Sequence, residues 1–374
     1  MQGNILPSIS GNDSCSGNVE ISSQKRSVGL DIVRTMAIFL VVGAHFFLNS
    51  KFKTSPFVGT SMFLQGMVST FCGINVALFM LLTGYLNLNK QVCKKYYKGG
   101  VRVLISYILI SIITILFRSY SLDEHKGIVE WGMLITDFSA IPYGWYIEMW
   151  LGLFLLAPFL NILWRNISSQ RHRILLISTL FVLTAPSDFF NRYGMTLMPD
   201  YWEGACYPIM FYFLGAYIRD YQPVVKLKYL LALAIGICLV NPIVTIVASY
   251  GHTFIQITGD TNGFFLTPLA VIVFLMLYRM EIKSSVAQRV LKKISILSLD
   301  MYLFSWLFDN TFYPLFKEQF FTSQSAFGIF FFVIVPLVLV ASFAASWIKE
   351  ILFKGIERLI AKLRHVDRLD IKLT

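Results

Sequence analysis

Charge is scarce in this 374-residue chain. Asp, Glu, Lys and Arg make up 14% of it, where a soluble globular domain carries about a quarter. Cysteine is sparse too, and its placement has no pattern. Cys15, Cys72, Cys93, Cys206 and Cys238 show no CxxC spacing and no histidine beside them, so no metal site or redox pair is signalled. An apolar run is missing from the first 24 residues, which are rich in Ser, Asn and Gly. Residues 1–24 therefore read as a mobile cytoplasmic tail without a cleaved signal, and the first span itself is expected to direct insertion.

Apolar residues are abundant instead, at 56% with a mean hydropathy of +0.64. Long apolar runs spread along the chain predict an all-α polytopic membrane protein. A helix needs about 20 apolar residues to cross the hydrocarbon layer. Ten segments qualify as candidates: 28–48, 68–88, 101–118, 143–164, 173–186, 204–218, 229–249, 262–280, 294–312 and 326–348. The fifth and sixth are short and interrupted by Pro186 and Pro208, as is tolerated where a broken helix lines a polar cavity.

The net charge of +11 does not call for nucleic acid, because the basic residues sit in short loops between apolar runs. With ten spans, only Lys51, Lys53, Arg118, Lys126, Arg192 and Lys317 of the 32 Lys and Arg fall on the outer side. That asymmetry predicts a multi-pass membrane protein with both termini cytoplasmic. The membrane domain is expected over 25–348. From 349 to 374 Ile351, Leu352, Ile356, Leu359, Ile360 and Leu363 recur at helical spacing against Lys and Arg, the pattern of an amphipathic tail on the inner leaflet.

The stretch "LDIVRTMAIFLVVGAH" (30–45) is costly in lipid because it holds Asp31, Arg34 and His45. Arg34 and His45 are 11 residues apart, which at about 100° per residue puts them on one helix face, ~16 Å apart along the axis. Asp31, three residues before Arg34, is close enough to pair with it. An imidazole can act as a base near neutral pH, and His45 is the one histidine of five inside a strongly predicted span.

"RSVGLDIVRTMAIFLVVGAHFF" (26–47) resembles the opening of the acyltransferase-3 family of bacterial integral-membrane O-acyltransferases, with an Arg, ten residues and a His. "NVALFMLLTGYLN" (75–87), "YGWYIEMWLGLFLLAPFLN" (143–161), "FYFLGAYI" (211–218) and "SLDMYLFSWLFD" (298–309) are similar to later family helices in the same order. Two departures stand out. Of the arginine pair that often precedes the third helix, only Arg102 is present, with Gly99 at the other position. The late Tyr-Leu-x-His pattern reads Tyr302, Leu303, Phe304, Ser305 here, which implies a branch with a different acceptor.

The resemblance implies transfer of an acyl group, commonly acetyl, from cytoplasmic acyl-CoA such as acetyl-CoA to a hydroxyl of a cell-surface glycan or lipid-linked sugar across the bilayer, with no metal. Arg34 with Lys94, Lys95, Lys98 and Arg102 would hold the phosphates and pantetheine arm, and the arm would run along the first helix to His45, the general base. Glu148, a turn into the fourth span, is expected to orient the imidazole. Asp188, Glu203 and Asp309, with Trp145 and Tyr146, are candidates for the sugar site, and Asn75 or Tyr146 for the oxyanion. A rival reading makes the same polar residues the relay of a proton- or ion-coupled transporter of a small polar or sugar-related solute.

Overall fold

The computed structural model describes residues 26–191, 195–249, 252–255 and 261–370, with side chains described only to 355 in the last stretch. The expected tail at 1–24 lies outside these. Among the described residues the chain is helical throughout. The helices run α1 (Val28–Asn49), α2 (Gly59–Cys72), α3 (Asn75–Asn87), α4 (Lys94–Ser121), α5 (Ile128–Thr136), α6 (Trp145–Asn166), α7 (Gln170–Thr184) and α8 (Ser187–Phe190). They continue as α9 (Glu203–Tyr221), α10 (Leu227–Ser249), α11 (Leu266–Leu277), α12 (Ser285–Phe320), α13 (Gln324–Phe327) and α14 (Phe331–Asp370).

Each of the ten expected segments coincides with helix. Six stretches are long and apolar enough to cross a membrane: α1, α2 with α3, α4, α6, α10, and Gln324–Gly355. The other four expected segments fall on α7, α9, α11 and α12, which do not meet that measure, each for a visible reason. α7 and α11 are short, and α9, which runs unbroken through Pro208, carries Glu203, Arg219 and Asp220 at its ends. α12 buries Ser295, Ser298, Asp300, Ser305 and Asp309 against its neighbours, so its polarity faces the bundle. The break expected to line a polar cavity lies elsewhere, at Gly73 and Ile74 between α2 and α3.

α1 runs through the middle of the bundle and packs on α3, α12 and α14. Val33, Ala37, Leu40, Val42 and Phe46 on it are fully buried. α3 and α9 cross at two glycines: a Cβ at Gly84 would land on the Tyr212 carbonyl, and one at Gly215 on the Leu81 carbonyl. Small residues that let backbones touch are the usual contact between helices in lipid, where hydrophobicity alone cannot drive helices together. Asn161, fully buried, accepts from Tyr212 Oη (2.7 Å) and donates to the carbonyls of Asn87 (2.7 Å) and Lys90 (2.8 Å). It thereby caps the end of α3, whose last carbonyls have no helical donor.

The N-terminal end of α1 lies with the basic ends of α4, α7, α12 and α14, and this is called the basic end below. There Arg26 grips Asp31 with two bonds, 2.8 and 2.6 Å. The expected pairing of Asp31 with Arg34 is therefore replaced, because Arg34 turns instead toward Ser295 of α12. α14 continues unbroken from its apolar half through the expected tail.

Candidate active site

His45 stands near the end of α1 remote from the basic end and is buried. Its Nδ1 faces Asp309 Oδ2 at 3.2 Å and lies 3.5 Å from Ser305 Oγ. The Tyr143 ring stacks on the imidazole, with centroids 3.8 Å apart. Tyr143 Oη donates to Asp309 Oδ2 (2.9 Å) and accepts from Asn49 Nδ2 (3.0 Å), and Tyr302 Oη donates to the Tyr143 carbonyl (2.5 Å). Ser305 donates back to the Tyr302 carbonyl at 2.7 Å. The ring is thus fixed in plane by Tyr143 and in rotation by a carboxylate whose side chain is fully buried. Among the described residues Asp309 Oδ1 meets no donor.

Tyr302, Ser305 and Asp309 come from one face of α12, at spacings of three and four. Asp309, expected in the sugar site, is therefore the partner of His45. Glu148, expected in that role, is not beside it. Ile147 is fully buried, and the next residue, rotated about 100° around α6, turns Glu148 outward to an exposed position.

His45 opens into a cavity of about 450 Å³ at the far end, lined also by Asn75, Tyr143, Trp145, Tyr207, Asn241 and Asn262. Amides, hydroxyls and aromatic rings dominate this wall. Asn75, at the first turn of α3, lines it. Its side-chain oxygen accepts from the Val76 N–H. Glu203 does not line the cavity but accepts from Asn262 Nδ2 at 2.7 Å and from Ser187 Oγ at 2.9 Å, so it holds a lining residue. Asp188, on α8, does not line the cavity and is half-buried.

Arg34 lines a second cavity, about 270 Å³, with Tyr146, Trp150, Ser295, Ser298 and Tyr302. Its Nη1 donates to Ser295 Oγ at 3.2 Å. Tyr146, expected with the sugar or the oxyanion, belongs here instead, its ring edge-on to Tyr302 with centroids 5.5 Å apart. Lys94, Lys95 and Lys98 are exposed on the first turns of α4 at the basic end, and Val103 of the same helix lines the Arg34 cavity. Arg102 is held away from it by Glu350 of α14, at 3.3 and 3.4 Å.

The two cavities share three wall residues: Val41, Val76 and Tyr302. Arg34 and His45 therefore face two chambers that meet at one partition along α1. Tyr143, Tyr302 and Ser305 went unread in the sequence as parts of the site, although the i, i+3, i+7 spacing of Tyr302, Ser305 and Asp309 was visible. Tyr143 precedes α6 in a turn that no periodicity reveals. Among the described residues no three His, Cys, Asp or Glu gather as metal ligands would. No curated protein and no solved structure matches the chain. The family model described as an acyltransferase domain does match, over residues 27–350, and with a multi-helix membrane fold built around Arg34 and His45 the chain belongs to the acyltransferase-3 family.

Proposed function

We propose that the protein moves an acyl group, acetyl in the simplest case, from cytoplasmic acyl-CoA to a sugar hydroxyl on the outer face of a bacterial inner membrane. The observation that carries this reading is the common wall of Val41, Val76 and Tyr302 between the Arg34 and His45 chambers. Adjoining chambers, cationic on one side and basic on the other, suit an acyl thioester that comes to the wall from one side while its acceptor meets it from the other. In this reading ten helices cross, both termini are cytoplasmic, and the last part of α14 lies along the inner leaflet.

Acyl-CoA enters at the basic end, where Lys94, Lys95 and Lys98 attract its phosphates and Arg34 contacts the arm within the cavity. The thioester reaches the partition. On the other side His45 uses Nε2, the nitrogen across the ring from Asp309, to take the proton of a sugar hydroxyl. That oxygen bonds to the thioester carbonyl carbon, with Asn75 as the nearest candidate to steady the oxyanion. The carbon–sulfur bond breaks, the proton passes from the imidazolium to sulfur, and an ester and free CoA result. Asp309 keeps the Nδ1 proton in place and balances the charge on the ring.

The test is CoA release by membrane-embedded protein given acetyl-CoA and surface glycan from the expressing cells. His45→Ala is expected to lower it by about 100- to 10,000-fold, the usual worth of a positioned base. Equal release by that variant at equal expression would overturn the assignment.

A further inference from the structure

α6 and α9 form a V. At the basic end they are tied by Asn161 to Tyr212 (2.7 Å), by Trp164 Nε1 to Asp220 Oδ2 (2.7 Å), and by the stacked Trp164 and Phe213 rings, 5.5 Å apart. Toward the far end they separate, leaving an open groove of about 460 Å³. Glycines keep it open from both walls: a Cβ at Gly152 or at Gly204 would have nothing within 4 Å. Below the mouth the walls are Met149, Leu153, Leu156 and Ile209. Trp145 and Tyr207 line both this groove and the His45 cavity, so the groove is a side door to the candidate active site.

We propose that this groove holds the hydrocarbon tail of a lipid-anchored sugar, the acyl acceptor, whose headgroup reaches His45 between Trp145 and Tyr207. The proposal rests on the reading of His45 as the transfer centre and adds the acceptor's class and its route. Three features select that ligand. First, apart from Glu148 the groove is lined by apolar and small residues and is open along its side, as a lipid tail arriving within the bilayer requires. Second, Glu148 lies in its wall one turn from Trp145. A carboxylate above a hydrocarbon-lined slot needs hydrogen-bond donors. Sugar hydroxyls provide them, and displacement by dodecylphosphocholine, whose cationic ammonium a carboxylate would also attract, is the competing outcome of the experiment. Third, the door itself is two amphipathic aromatics, and beyond it the cavity wall holds Lys53 and Asn75, whose Nδ2 is suited to a hydroxyl group, while the amide nitrogens of Asn241 and Asn262 are held by Thr70 and Glu203. A soluble polysaccharide would need none of the lower groove.

The experiment uses the full chain in phosphatidylcholine nanodiscs with a dodecyl glucoside carrying a photoactivatable diazirine in its tail, followed by mass-spectrometric mapping of the labelled peptides. Label is expected to concentrate on α6 and α9, to be displaced by unlabelled dodecyl glucoside, and not by methyl glucoside or dodecylphosphocholine. Gly152→Leu, which fills the groove at a position where leucine favours helix, is expected to cut that label about tenfold, or ~1.4 kcal/mol. Label spread evenly over the lipid-facing helices, or displaced equally by dodecylphosphocholine, or unchanged in Gly152→Leu at an unchanged melting temperature, would overturn the proposal. Labelling needs neither acyl-CoA nor His45. His45→Ala protein that still labels while wild-type protein transfers no acyl group would therefore sink the catalytic reading and leave the lipid groove standing.

Discussion

A single ring pair is central to the proposed chemistry. His45 has a carboxylate on one nitrogen and Tyr143 stacked on its face, so the imidazole is held in one tautomer and one orientation before any substrate arrives. Asp309→Asn keeps the size of the partner but removes the charge that holds the Nδ1 proton. The expected result is a fall in kcat of about 100-fold or more, with KM for acyl-CoA little changed because the donor chamber is on the other side of the partition. A large rise in KM with kcat preserved would instead place Asp309 in donor binding. The Arg34 and His45 stripe was legible in the sequence because helix geometry alone sets which residues share a face. The partner of His45 was not legible. It lies on α12, 264 positions further along, and only packing decides whether Asp309 or Glu148 reaches the ring.

At the scale of the helices, close packing and buried charge carry different loads. The α3–α9 crossing depends on Gly84 and Gly215 lying directly on partner carbonyls. Gly84→Leu has no space to enter and must push the helices apart, at a cost of ~1–3 kcal/mol or more. A lower thermal midpoint in detergent is the expected readout, and an unchanged one would mean that the helices do not meet there. α12 and α14 are joined by Lys349 Nζ to Asp300 Oδ2 at 2.7 Å, both side chains about nine-tenths buried, with Ser106 of α4 also accepting from Lys349 at 2.5 Å. Lys349→Ala leaves Asp300 without its counter-charge. The expected loss is ~3–5 kcal/mol, with Asp300→Asn in the same chain restoring part of it. Absence of any such rescue would show that the pair does not act as a pair. Helix positions were legible from apolar runs, with all ten expected segments helical. α12 was expected as a span over 294–312, but that its buried serines and aspartates face the bundle is decided only by packing.

Over the whole molecule the basic and far ends differ in kind. One carries Arg26, Arg34, the α4 lysines and the α14 cluster. The other carries the His45 cavity, with asparagines, tyrosines and tryptophan around it. Between them stands the thin wall of Val41, Val76 and Tyr302. Val41→Phe adds bulk at that wall and is expected to lower acyl transfer about tenfold or more, by misplacing the thioester relative to the base, while acyl-CoA binding measured by calorimetry persists. Loss of binding along with transfer would put the donor's path elsewhere. The division into two ends follows from loop charge and was readable early. The meeting of two chambers at three residues was not, since Val41 and Val76 look like any lipid-facing valine until α1, α3 and α12 are packed together.

The central claim is that chemistry joins a donor on one face to an acceptor on the other through His45. Sealed vesicles from expressing cells, exposing only the basic face and retaining their own glycans inside, test it with acetyl-CoA labelled in the acetyl group. The account predicts label on lumenal glycan, lost in His45→Ala. Label confined to molecules on the donor's own face, or equal lumenal labelling by the His45→Ala vesicles, would contradict it.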